Sequence, residues 1–175
     1  MIRAGTGFSE NTSLEKAAFE ATTQALDRSG LSKAPLLLLF ATLKESNRWN
    51  GVLKKLKSLA GAEAVVGNSA YGILTDQTEI EQRPSVAVMA LDGPKESFYP
   101  FLIPHLQENN FRAGAALAQT IRGADFDPSL AMLGPDAFSF QHGPFFDGFE
   151  SESQFVSLIG GCASEQGGAE KTFQW

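Results

Sequence analysis

Few groups in this 175-residue sequence can do covalent chemistry. One thiol, Cys162, ends the segment Ile159-Gly160-Gly161-Cys162. A cysteine just after a strand becomes a nucleophile when a base or a helix amide lowers its pKa. The imidazoles available for that task are His105 and His142. They stand far apart, without the HxxxH or HExxH spacing of a zinc site. The plain alternative for Cys162 is a small buried thiol, and for both histidines a loop position. His142, just before a helix, can also hydrogen-bond a ligand carboxylate.

A second kind of chemistry needs only backbone. The segment Gly67-Asn68-Ser69-Ala70-Tyr71-Gly72 follows an apolar run. Glycine there lets a ligand approach the chain closely, Ser69 offers a hydroxyl, and neighbouring amides can hold a carboxylate. Gly160-Gly161-Cys162 occupies the corresponding place later in the chain. The alternative is a tight connection between strands, with no ligand. Gly67, Asn68, Ser69, Tyr71, Gly160, Gly161 and Cys162 are therefore the candidate ligand-binding residues, and no catalytic or metal-ligating residue is assigned. Ala4-Gly5-Thr6-Gly7 has two glycines of a dinucleotide fingerprint, but Glu10 stands at the third position and no GK[ST] occurs. No cofactor is expected.

Net charge is −6, from 14 Lys+Arg against 20 Asp+Glu, which argues against nucleic-acid or anionic-membrane partners. A single cysteine excludes a disulfide framework and a CxxC centre. The opening residues carry no secretory pattern and the longest apolar run, Leu36 to Ala41, is too short to span a bilayer, so a soluble cytoplasmic protein is expected. Asp76, Glu79 and Glu81 can bind an amine or a cation, and otherwise read as a solvated acidic loop. Lys44, Arg48, Lys54, Lys55 and Lys57 read as a solvated helix face. Phe138, Phe140, Phe145, Phe146 and Phe149 can fill a core, wall a pocket or form a docking surface.

These residues are positioned by alternating strands and helices. A strand over Ile2–Phe8 precedes a helix from Thr12 to Ser29, with Thr12 and Glu15 as a capping box and Gly30 as its stop. Leu36–Phe40 reads as a strand covered on both faces. A helix over Arg48–Leu59, a strand region over Ala64–Leu74 and a strand over Ser85–Leu91 follow. The order then restarts: a strand over Phe98–Leu106, a helix over Asn110–Arg122 capped by Asn109, a strand over Ser129–Leu133, a helix over Pro144–Glu152, a strand over Phe155–Ile159, and the start of another at Lys171–Trp175. Pro35 stands 32 positions before Gly67 and Pro128 stands 32 before Gly160. The spacing predicts a duplication, with halves of about 1–93 and 94–175 in one domain. The fold class is α/β, a layered sandwich of two β-α-β-α-β-β halves, in a thiolase-like or αββα arrangement. Both first helices are rich in small residues, which suits close approach to another backbone. Alanine's helix propensity explains them as well.

The order of segments resembles the N-terminal domain of the FIST family, bacterial and eukaryotic signal-transduction proteins. The residues that carry the resemblance are Ala4–Ser9 with the Ala-rich helix, Phe40-Ala41-Thr42, Val66-Gly67-Asn68-Ser69-Ala70-Tyr71-Gly72-Ile73, the strand over Ser85–Leu91, and Ile159–Ser164 with Thr172-Phe173-Gln174 behind it. The family usually carries a C-terminal domain that this sequence lacks, which implies a fragment of a longer protein and makes that domain a partner. The resemblance implies an intracellular sensory domain, not an enzyme, that binds a small polar molecule such as an amino acid or a derivative. Two rivals are a Cys162-dependent acyl-transfer enzyme and a protein-interaction module built on the phenylalanines.

Overall fold

The computed structural model describes residues 1–42, 48–125, 128–152, 156–165 and 171–175. The chain is α/β and forms two compact units: Met1–Phe98 together with Ser164–Trp175, and Tyr99–Ala163.

The first unit runs β1 (Arg3–Ser9), α1 (Leu14–Ser29), β2 (Leu36–Ala41), α2 (Trp49–Ala60), β3 (Ala64–Ser69), β4 (Gly72–Leu74), β5 (Glu79–Glu81) and β6 (Val86–Asp92). Four strands make one sheet in the order β1-β6-β2-β3. β6 is antiparallel to both neighbours, and β2 and β3 are parallel. One face is a closed hydrophobic surface: Leu37, Leu39, Ala41, Val86, Val88 and Ala90 are all buried. The opposite row (Leu36, Leu38, Phe40, Met89 and Leu91) is only half-buried. The unbroken apolar run Leu36–Ala41 thus hides one face completely and the other in part, short of the cover expected on both sides.

α1 lies on the closed face, and its small residues are there for proximity. Ala17, Ala18, Ala21 and Ala25 are fully buried. A Cβ on Gly5 would stand 2.3 Å from the Ala25 carbonyl oxygen, and one on Gly7 would stand 2.1 Å from that of Ala21. Helix propensity explains the alanines but not the glycines that face them. Gly5 and Gly7 therefore lie inside a strand and pack against a helix, where no phosphate-binding loop is formed.

Several local expectations need correction. Thr12 does not cap α1. The helix begins one residue later, behind Ser13, whose side chain makes no capping bond. Asn11 Oδ1 accepts from the Ser13 amide (3.0 Å), so a local turn replaces the capping box. Glu15 reaches across to Lys55 instead. The single strand region expected over Ala64–Leu74 is two strands, β3 with Gly67 inside it and β4 beginning at Gly72. Glu79–Glu81 is no loop: it pairs with β4, with Ile80 fully buried between exposed carboxylates. Of the basic face, Lys54, Lys55 and Lys57 are exposed, and Lys44 lies outside the described residues.

The hydrogen bond and charge of the Lys55 ammonium hold the Glu15 carboxyl below its ordinary range. Its folded value lies under its unfolded one. The pair's contribution is therefore present above the ordinary carboxylate range and lost as pH falls through the depressed value. Both side chains are solvent-exposed, so the pair is weak. Lys55→Ala is expected to move the Glu15 titration upward in an NMR pH series while lowering the denaturation midpoint at neutral pH only slightly.

The second unit runs α3 (Asn110–Arg122), β7 (Leu130–Leu133), α4 (His142–Ser151) and β8 (Ser157–Gly160). Asn109 caps α3, accepting from the Arg112 amide at 2.9 Å. β7 and β8 are parallel, and an isolated bridge from Asp136 to Ala163 extends their pairing. α3 and α4 touch through glycines. A Cβ on Gly114 would lie 1.9 Å from the Phe145 carbonyl oxygen, and one on Gly148 would lie 1.9 Å from that of Phe111. Ala113, Leu117, Ala118, Ile121, Ala131, Phe145 and Phe149 form the core. Phe140, Phe145 and Phe146 meet edge to face, while Phe138 is exposed. Phe145 and Phe149 fill the core and Phe140 packs against it, while Phe146 is exposed like Phe138.

The strand expected over Phe98–Leu106 does not form. A short 3-10 turn at Lys95–Ser97 is followed by chain outside any strand, and His105 takes a positive φ of 63°. Pro100 and Pro104 remove two of its amide donors. Phe155, expected to open the next strand, lies outside the described residues, and β8 starts at Ser157.

Candidate functional site

The glycine-rich segments stand at the carboxyl ends of parallel strand pairs, one in each unit. In the first, Leu39 is in register with Gly67; in the second, Leu133 is in register with Gly160. The local reason for glycine is the same in both. A Cβ on Gly67 would sit 1.7 Å from the Leu39 carbonyl oxygen, and one on Gly160 would sit 1.9 Å from that of Leu133. Two residues beyond each glycine stand Ser69 and Cys162.

Ser69 is buried and its hydroxyl is engaged on both sides. It donates to the Ser164 carbonyl (2.9 Å) and accepts from the Phe173 amide (3.0 Å). The backbones follow the same path. The Ser69 amide donates to the Phe173 carbonyl, the Gly67 amide to the Trp175 carbonyl, and the Trp175 amide back to Gly67. Residues 173–175 thereby pair antiparallel with the outer edge of β3, with a bridge between Asn68 and Gln174. The strand expected over Lys171–Trp175 is thus realised as this short contact. Its last side chain anchors it: Trp175 stacks on Trp49 at 4.5 Å and donates its indole N–H to the Leu39 carbonyl (3.1 Å).

Ser164 Oγ accepts from the Tyr71 amide at 2.8 Å. That bond turns the chain after β3 and leaves the Tyr71 ring 42% exposed, its hydroxyl accepting from Gln82 Nε2 at 3.4 Å. Asn68, beside it in β3, is buried. The glycine and serine types were legible in the sequence. The partners Ser164 and Phe173 were not, because the contacts lie about a hundred positions away.

Ser69→Ala removes one donor and one acceptor and strands the Ser164 carbonyl and the Phe173 amide. Leaving buried polar groups unpaired costs about 1–3 kcal/mol. We expect a loss in that range by urea denaturation, together with faster proteolysis after Lys171.

In the second unit Cys162 is exposed, which corrects its reading as a small buried thiol. The Gly161 amide donates to the Leu133 carbonyl (3.2 Å), so β7 holds the segment up to that point. His142 is the first residue of α4 and His105 pairs with Glu108 (2.9 Å), both imidazoles lying in exposed positions. No group of three or more His, Cys, Asp or Glu among the described residues is placed to hold a metal. No helix among them is long and apolar enough to cross a membrane.

A groove of about 360 Å³ between α1 and α2 is lined by Glu15, Phe19, Val52, Lys55, Leu56, Ser58 and Leu59. None of the seven candidate residues lines it.

The chain is 25% identical over 166 residues to uncharacterized protein Rv0628c of Mycobacterium tuberculosis strain H37Rv. It is equally similar to uncharacterized protein MT0656 of strain CDC 1551 / Oshkosh. Each match covers 93% of this chain but 41% of the relative, so the chain spans less than half the length of these curated relatives. The FIST N domain model matches residues 35–175, from the approach to β2 onward. That stretch holds both glycine-bearing strand pairs, while Ala4–Ser9 and α1 lie before it. FIST domains are sensory, signal-transduction domains and not an enzyme family. With both parallel pairs and their glycines inside the matched stretch, the chain belongs to the FIST N domain family.

Proposed function

We propose that this domain binds a small polar ligand, an amino acid or a derivative, and passes its occupancy to a downstream domain of the same protein. The observation that supports this is positional: both glycine-rich segments stand at the carboxyl ends of parallel strands, where α/β folds characteristically receive ligands. The candidate contacts are Gly67, Asn68, Ser69 and Tyr71 within the first unit and, taken separately, Gly160, Gly161 and Cys162 within the second. Their roles differ. The Ser69 hydroxyl is engaged by backbone, so it shapes the segment, whereas Tyr71 and Cys162 offer exposed side chains to a guest. Signalling of this kind requires the ligand to prefer one domain arrangement over another. The site works in the cytoplasm, without catalysis, metal or cofactor. The matching geometry at Gly67 and Gly160 also supports an origin by internal duplication.

A thermal-shift screen with amino acids and small carboxylates tests the reading. A ligand at a hundred times its dissociation constant stabilises by about 2.7 kcal/mol. Tyr71→Ala and Cys162→Ser are expected to weaken that shift without lowering the ligand-free midpoint. If no compound shifts either the 175-residue chain or the longer natural protein, the sensory reading fails.

A further inference from the structure

β4 and β5 form a hairpin of their own, outside the four-stranded sheet of the first unit. The hairpin follows β3, one edge of that sheet, and runs against β2. Its turn reaches Thr6 of β1, the opposite edge. Gly5 and Gly7 face α1, so the Thr6 side chain between them points to the other, half-buried face. The hairpin therefore crosses that face from edge to edge. Ile73 and Ile80, opposite each other in register, are buried, while Leu74 on the hairpin's outer side is 79% exposed.

The far end is fastened by exposed side chains. The Thr75 amide donates to the Thr78 carbonyl (2.9 Å), which closes a tight turn with Asp76 and Gln77 at its apex. Thr6 Oγ1 donates to Asp76 Oδ1 at 2.6 Å. Arg28, at the end of α1, donates from Nη2 to Gln77 Oε1 (2.8 Å) and from Nη1 to the Thr6 carbonyl (3.1 Å). Bonds of this kind are traded against bonds to water and hold weakly. At the near end Gln82 takes a φ of 57°, a left-handed conformation that disfavours any side chain. Its Nε2 donates to the Tyr71 hydroxyl across the base of the hairpin (3.4 Å). The ladder between these ends has three residue pairs, and a two-stranded hairpin is marginal at best in water by itself.

We propose that the β4–β5 hairpin is a strap that opens separately from the sheet beneath it, and that its closure holds Tyr71 in place. Opening releases Asp76 from Thr6 and Gln77 from Arg28, melts the three-pair ladder, and parts Gln82 from Tyr71. The four-stranded sheet stays folded throughout. Control of a ligand's access to Tyr71 by this strap rests on the sensory reading; the opening itself is a property of the chain alone.

Hydrogen exchange on the 175-residue chain tests it. Thr75 and Thr78 are a hydrogen-bonded pair, and bonded pairs alternate along an antiparallel ladder, so Ile73 and Ile80 are the next. Their amides are expected to exchange about a hundredfold or more faster than those of Leu39 and Val88, which lie in the interior strands β2 and β6. Asp76→Ala is expected to speed Ile73 and Ile80 by a further factor of about five to ten, as the loss of one hydrogen bond implies, and to leave Leu39 and Val88 unchanged. Asp76→Asn keeps an acceptor for Thr6 Oγ1 and is expected to restore most of the lost protection. Equal rates at all four amides in the unsubstituted chain overturn the proposal, because the strap then opens only with the sheet. So does an Asp76→Ala variant that speeds all four together or none. No ligand is present in this experiment, so a strap that fails it is distinguishable from a ligand screen that finds nothing.

Discussion

Replacing Gly67 with alanine is expected to destabilise the first unit by about 3 kcal/mol or more, a loss in the range of severe core lesions. The added methyl would stand 1.7 Å from the Leu39 carbonyl oxygen. That oxygen is backbone, fixed by the parallel ladder of β2 and β3 and by the indole N–H of Trp175. No rotamer change relieves the contact, so the strands must part. For a chain of this size, 3 kcal/mol lowers the melting temperature by roughly 6–12 °C. Gly160→Ala repeats the experiment in the second unit, with 1.9 Å to the Leu133 oxygen and a φ of 146° as an added strain. Calorimetry on the two variants should show losses of similar size. A shift below about 2 °C for Gly67→Ala would mean that β2 and β3 yield far more easily than their register implies.

The second large effect is at Trp175. Its ring stacks on Trp49, its N–H serves Leu39, and its backbone closes the edge of β3. Trp175→Ala keeps the backbone pairing and removes the rest. Loss of a fully buried tryptophan costs about 3–5 kcal/mol. Trp175 is half-buried, so about 2–3 kcal/mol is expected. Trp175→Phe separates the contributions: it keeps an aromatic ring on Trp49 and gives up the hydrogen bond, for about 1 kcal/mol. The chain has two tryptophans and they are the stacked pair, so near-ultraviolet circular dichroism reads the contact directly. The signal should collapse in Trp175→Ala before any unfolding.

Local pattern identified the strands and helices whose reasons are local. Leu36–Ala41, the alanines of α1 and Asn109 before α3 announce themselves by periodicity and capping chemistry, and each forms where the sequence places it. What failed depended on distant partners. Thr12 and Glu15 have the spacing of a capping box, yet Lys55, forty positions on, takes the carboxylate. Phe98–Leu106 has strand composition, yet Pro100 and Pro104 take two amide donors out of it and no strand forms. Glu79–Glu81 looks like a solvated loop until Ile80 is seen buried beneath its own hairpin. The glycine-rich segments were legible as special backbone. The cause, a carbonyl of the neighbouring strand within 2 Å of an added Cβ, exists only once the register is set.

The pairing of residues 173–175 with β3 bears on how the protein is made. Ser69 waits 95 positions for Ser164, and the second unit is synthesised in between. At ordinary elongation rates that interval is roughly 5–20 s, during which the β3 edge has left the ribosome without its cover. A bare edge of this kind recruits other strands, so the nascent chain is most vulnerable to self-association after its first unit has collapsed. A circular permutant beginning at Ser164 would deliver the covering segment first and remove that delay.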